Sequence, residues 1–191
     1  GSWMANPPTG NPRYDRGDGS EIFGFMPWSA RRNIRHLPKD GGSRDYYFVD
    51  GSPVAADLWF RSSDTQLPTA KAVDGSEWKT VLAGGLRQGG VSYYALDITD
   101  PDAASYPGYL WEFPRESAPA SIKDYMGETW GTPILTRVKV EIAGQIYERS
   151  VAVVTGGYHP TGDPNDALNY NSAATAGRAI FILDVKTGEI L

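Results

Sequence analysis

The chain has no cysteine among its 191 residues and only two histidines. Without thiols there is no disulfide framework, no thiol nucleophile and no cysteine-based metal site. Two histidines leave little from which to build a Ser-His-Asp hydrolase, and no such set is suggested. A cysteine-free chain is compatible with the cytoplasm and equally with the cell envelope. No run approaches the roughly 18 consecutive apolar residues of a membrane helix, so no membrane span is expected. Basic residues are in deficit: 18 Lys and Arg against 23 Asp and Glu give a formal net charge of -5. That balance argues against general nucleic-acid affinity. No signal peptide opens the chain, and Gly1-Ser2 resembles a cloning scar. An exported parent would carry its signal elsewhere.

What the chain does have is turn chemistry and β-forming residues. Glycine (22) and proline (14) are frequent, and 40% of residues are hydrophobic. This suits a turn-rich all-β protein. A motif series also occurs twice. Gly84-Gly85 matches Gly156-Gly157, and Leu96-Asp97 matches Leu183-Asp184. Each copy has a leader, Asp50-Gly51-Ser52-Pro53-Val54 before the first and Trp130-Gly131-Thr132-Pro133-Ile134 before the second. The order is kept while the loops between change length, as in a repeated supersecondary unit with insertions in its loops. The unit reads as one four-stranded propeller blade.

Residues 1–20 carry no periodic apolar pattern and read as a tag and flexible loop. Within them Arg16-Gly17-Asp18 spells an integrin-binding tripeptide, with an ordinary turn as the alternative. Glu21 to Trp28 reads as the last strand of a blade. A short helix follows, capped by Ser29 and stopped by Pro38, with a basic cluster of Arg31, Arg32, Arg35 and His36. Pro53 should start a strand or lie on an edge, since proline cannot donate to a ladder. Val81 to Gly85 is fully apolar, as for a strand covered on both faces. Gly84, Gly85, Gly89 and Gly90 lack the spacing of a phosphate-binding loop, so tight packing explains them better. Asp97 is expected to cap the turn after it by accepting from a backbone N–H two residues on. Trp111 and Phe113 share one face of a strand and Glu112 takes the other. Residues 121–126 suggest a short helix. Ile134 to Val140 alternates and pairs with Gln145 to Tyr147 in a hairpin. In the polar loop from Tyr158 to Ala176, Asp163, Asn165, Asp166, Asn169 and Asn171 place five oxygen-bearing side chains close together. Calcium favours such ligands, though the spacing is not an EF-hand and these are also good turn residues.

The runs FVDGSPVAADLWF, WKTVLAGGLRQGGVSYYALDITDP, LWEF, WGTPIL and GRAIFILDVKTGEIL resemble the C-terminal β-propeller of type IV pilus tip-associated adhesins, the PilC/PilY-type pilus biogenesis factors. The resemblance spans about residues 19 to 191. It implies a partial modified quinoprotein-like β-propeller, with a blade end at 21–28, a full blade at about 46–114 and a partial blade at about 129–191. It further implies a non-enzymatic module at the pilus tip or cell surface, exported across the envelope, that supports pilus assembly, retraction control and attachment. Minor pilins and a host or abiotic surface would be its partners. The family's calcium loop follows the strand after Leu191, so regulatory calcium is carried over to no residue here. Two alternatives stand beside this reading: a fragment of a dehydrogenase propeller using pyrroloquinoline quinone, and an envelope scaffold that binds by strand addition. Against the enzyme, such dehydrogenases use a vicinal cysteine pair that this chain lacks. An incomplete set of blades should leave apolar faces exposed, so the chain is expected to self-associate or to pair with the remainder of the propeller.

Overall fold

The computed structural model describes residues 21–34, 47–60, 75–158 and 176–191. Both the Arg16-Gly17-Asp18 tripeptide and the loop carrying Asp163, Asn165, Asp166, Asn169 and Asn171 lie outside the described residues, as do Arg35 and His36. The described residues are almost entirely β, forming two antiparallel sheets and two helical turns, α1 (Arg31–Ile34) and α2 (Ala120–Lys123).

The first sheet is a meander of β1 (Val54–Trp59), β2 (Trp78–Gly85), β3 (Tyr93–Asp97) and β4 (Gly108–Phe113), hydrogen-bonded in sequence order. The second joins β5 (Ile134–Ile142), β6 (Gln145–Thr155) and β7 (Ile180–Asp184), also in order. Residues after β7 turn back beside it: Asp184 N–H donates to the Glu189 carbonyl and Leu191 N–H to the Ile182 carbonyl. Pro53 and Pro133 each sit immediately before a first strand, β1 or β5, and both strands are sheet edges. A proline at the entrance of an edge strand forfeits no ladder bond.

The sheets pack face to face. Val81 and Ala83 of β2, Tyr93 and Ala95 of β3, and Trp111 and Phe113 of β4 meet Ala152, Val154 and Leu183 of the second sheet in one buried core. Phe113 stacks edge-on against Phe181, ring centroids 5.0 Å apart. The first sheet is also covered on its far side. There Leu82, Tyr94 and Leu96 pack with Phe23 and Phe25. Burial on both faces explains why β2 and β3 carry apolar runs rather than alternation.

The alternating hairpin forms as the sequence predicts. Ile142 pairs with Gln145 across the two-residue turn Ala143-Gly144, where both residues have positive φ, 51° and 76°. Positive φ at both turn residues gives the twist that matches the right-handed twist of the two flanking strands. β6 is longer than the sequence suggests, running unbroken from Gln145 to Thr155. Its polar middle conceals the continuity: Glu148 pairs with Arg137 at 3.1 Å, and Ser150 Oγ donates to the Trp59 carbonyl at 3.0 Å.

Two expectations are corrected. Residues 21–27 pack on the first sheet but belong to no strand, because no described strand pairs with them. Ser29 does not cap α1; its hydroxyl is buried without a partner, while its N–H donates to Glu112 Oε2 at 3.2 Å. Glu112, on the opposite face of β4 from Trp111 and Phe113, is only 7% exposed because residues 27–29 lie over its carboxylate.

The two Leu-Asp pairs have the same structure. Leu96 and Leu183 are both buried, and each aspartate folds the following turn onto itself. Asp97 Oδ1 accepts from Thr99 N–H at 2.9 Å, and Asp184 Oδ1 accepts from Lys186 N–H at 2.8 Å. Partial burial pushes the Asp97 pKa up, but the Thr99 hydrogen bonds and Lys79, 3.3 Å away, outweigh it and hold the pKa below the usual value. A depressed carboxylate pKa stabilises the fold above the unfolded-state pKa of about 3.9 and loses that contribution as pH falls through the folded value. The stability difference between the parent and Asp97→Asn should therefore shrink as pH is lowered from about 5 to below 3. Denaturant titrations at fixed pH steps measure it, and a difference independent of pH would refute the assignment.

Candidate functional site

The sheets are held together by a strap, residues 125–130, that precedes β5. Its hydrogen bonds run both ways. Toward the first sheet, Arg87 N–H donates to the Thr129 carbonyl and Thr129 N–H to the Gly90 carbonyl, each at 3.2 Å. Thr129 Oγ1 accepts from Leu86 N–H at 2.8 Å and donates to the Ser92 carbonyl at 3.0 Å. Toward the second sheet, Glu128 and Tyr158 exchange backbone hydrogen bonds of 2.6 and 2.7 Å, and Gly177 N–H reaches the Tyr125 carbonyl at 3.0 Å. Thr129 is 1% exposed, so its satisfied hydroxyl closes the polar balance of a buried seam.

Three of the four glycines in the duplicated pairs serve this seam, while Gly84 makes room for the Tyr94 ring. A Cβ on Gly85 would stand 2.5 Å from the Thr129 carbonyl oxygen, and one on Gly157 would stand 2.2 Å from that of Glu128. A Cβ on Gly156 would meet the Tyr125 carbonyl oxygen at 2.4 Å. These are positions of close backbone approach, which only glycine allows. Tight packing rather than phosphate binding is thus the reason for the glycines, as the sequence suggests.

Beside this seam, at the same end of the first sheet, Glu112 accepts from Trp28 N–H and Ser29 N–H. The carboxylate thereby clamps residues 27–30 to β4. A cavity of about 350 Å³ lies at this margin between Trp28, Gly90, Glu112, Pro114, Lys123 and Met126. Among the described residues no group of three or more His, Asp or Glu gathers to hold a metal, and no helix is long and apolar enough to cross a membrane. Burial raises the pKa of Tyr93 and Tyr94, which stay neutral in the core; Tyr93 Oη lies 3.2 Å from Thr155 Oγ1.

The outer face of the second sheet is different in kind. Ile134, Val153 and Ile182 are aligned across β5, β6 and β7, on the side away from the inter-sheet core. Ile134 is 61% exposed, Ile182 43% and neighbouring Ile180 72%. The first sheet is covered on both faces; the outer face of the second is open at Ile134, Ile180 and Ile182, although Val151, on the same face, is fully buried. Sequence reasoning anticipated exposed apolar faces but not Glu112 or Thr129, whose roles depend on segments far away in the chain.

No family model matches the chain. Curated relatives do. The type IV pilus biogenesis factor PilY1 of Pseudomonas aeruginosa strain PAO1 is 31% identical over 175 residues, which are 91% of this chain and 12% of that protein. A PilY1 homologue of Xylella fastidiosa is 29% identical over 174 residues, again 91% of this chain and 9% of that protein. Among solved structures, the Pseudomonas aeruginosa PilY1 C-terminal domain matches with a TM-score of 0.51 and 30% identity, over 91% of this chain and 26% of that one. The chain therefore spans about an eighth of the Pseudomonas relative. Over nine-tenths of its length it is homologous to one segment of the PilY1 type IV pilus biogenesis factors.

Proposed function

We propose that this chain is a structural segment of a type IV pilus biogenesis factor, one part of a larger β-propeller that acts at the pilus tip without catalysing a reaction. The observation that carries the reading is the 31% identity over 91% of the chain with PilY1. The propeller is supported by the two successive antiparallel sheets, packed face to face, with matched proline entrances, glycine pairs and Leu-Asp turns. In this arrangement the Ile134, Ile180 and Ile182 face is where the next repeat packs, since each repeat of a radial array buries its faces on its neighbours. The parent protein would lie at the cell surface or pilus tip, with minor pilins as assembly partners and a host or abiotic surface as the attachment target. Retraction control follows if the tip complex must persist for the pilus to stay extended.

The test is to purify sheared pili from cells making the full-length parent and to quantify it against the minor pilins. Co-elution at a fixed ratio is expected. A parent found wholly in the soluble periplasm, with pilus number unchanged when its gene is deleted, would overturn the reading. Alcohol-dependent dye reduction after adding pyrroloquinoline quinone and calcium would overturn the non-catalytic part.

A further inference from the structure

The geometry points to a second surface, the free edge of β5, as a self-complementary site at which two copies of this chain pair antiparallel. β5 is the terminal strand of its sheet, and among the described residues no backbone hydrogen bond reaches its outer edge. The hairpin fixes which groups point there. Ile142 and Gln145 flank a two-residue turn, so they form a hydrogen-bonded pair, and Val140, Val138 and Thr136 likewise bond to β6. The N–H and C=O groups of Arg137, Lys139 and Glu141 therefore face outward. Lys139 and Glu141 are exposed at the side chain as well, and the register places β7 opposite only Val151 to Thr155, so this half of the hairpin extends beyond the third strand.

An edge lysine normally blunts strand pairing. Here the guard is selective. The segment reads Val138-Lys139-Val140-Glu141-Ile142, in which opposite charges are symmetric about Val140. An antiparallel copy centred on Val140 sets Lys139 opposite Glu141 of the second copy, and Glu141 opposite its Lys139. Both are outward-pointing pairs, able to exchange backbone hydrogen bonds. Val138 then faces Ile142 of the second copy on the apolar side. Centring on Lys139 instead opposes two lysines, although it also sets Arg137 opposite Glu141 twice, and centring on Val138 opposes Arg137 and Lys139 twice; of these three registers only the one centred on Val140 opposes no like charges. Opposite charges directly across a ladder are stabilising and like charges destabilising. The edge thus selects its own two-fold partner in one register, an isologous interface. This inference does not depend on the pilus reading.

The test uses the full 191-residue chain in sedimentation equilibrium and native mass spectrometry. The parent chain is expected to dimerise. Lys139→Glu and Glu141→Lys each place two like-charge pairs across the two-fold, and each should weaken the dimer about tenfold or more. Mixed together, these two variants have fully complementary edges and should form a heterodimer. The doubly swapped chain, Lys139→Glu with Glu141→Lys, should dimerise like the parent. Both substitutions are at exposed positions, and circular dichroism checks that each variant is folded. A monomeric parent at about 100 μM, well above the micromolar Kd range of a modest interface, would overturn the proposal. So would association unaffected by the single substitutions, which would place the contact on the Ile134, Ile180 and Ile182 face instead.

Discussion

Replacing Trp111 with alanine should lower the unfolding free energy by about 3–5 kcal/mol, the range for removing a large buried aromatic. Trp111 is 1% exposed and sits in the core shared by both sheets. Its indole does two further things. Nε1 donates to the Val185 carbonyl at 2.8 Å, and the ring lies where a Cβ on Gly188 would come within 2.6 Å. One side chain from the first sheet thus fills the turn after the last strand of the second. Trp111→Phe separates the contributions: most of the apolar area stays, but the Val185 carbonyl is buried without its donor, a cost of about 1–3 kcal/mol. Urea titrations followed by far-ultraviolet circular dichroism give both values. A loss below about 1 kcal/mol for the alanine variant, far short of a buried aromatic's usual contribution, would mean that the sheets do not depend on this contact.

The second large effect is expected from Gly157→Ala. Gly157 has φ of +89°, and the added Cβ would stand 2.2 Å from the Glu128 carbonyl oxygen and 3.0 Å from that of Gly127. Both obstacles are backbone, so no side chain can rotate away. The left-handed conformation costs about 1–2 kcal/mol for a residue with a Cβ, and overpacking adds about 1–3 kcal/mol. Gly144→Ala is the control. Gly144 has a similar φ, +76°, but at the hairpin tip nothing lies within 4 Å of where its Cβ would stand. It should show the conformational cost alone. Equal losses at the two positions would show that the approach of the strap to β6 is not tight.

The features legible in the sequence are those set by neighbours along the chain. Alternation from Ile134 to Val140, with Gly144 in the turn, specified the hairpin because side-chain period and turn twist are local properties. Asp97 was legible for the same reason, its acceptor being two residues from the donor. The unbroken apolar run of β2 signalled burial on both faces, and the structure supplies both covers. What escaped was decided at long range. Glu112 sits on the face of β4 opposite Trp111 and Phe113, and nothing nearby in the chain marks how that face is covered. It is buried because Trp28 and Ser29, more than eighty residues earlier, bring their N–H groups to it. Thr129 looks like an ordinary linker residue until the ends of β2 and β6 converge on it. The apolar pattern of Glu21 to Trp28 correctly marked a packed segment but wrongly suggested a strand, since hydrophobicity specifies burial and not a ladder partner. The candidate calcium ligands and the Arg16-Gly17-Asp18 tripeptide fall outside the described residues.

The strap also governs how the protein opens. Amide protons in separate sheets commonly exchange with solvent through separate local openings. Here the amides of Arg87, Thr129, Glu128 and Tyr158 belong to one connected set of hydrogen bonds that includes loops at the ends of both sheets. Glu128 and Thr129 are adjacent in the chain and each is tied to a different sheet, so we expect the strap to leave both sheets in one event. Their exchange should therefore follow one shared opening, and a label entering at Arg87 should enter at Tyr158 at the same rate. The two sheets then behave as one cooperative unit, although neither shares a strand with the other.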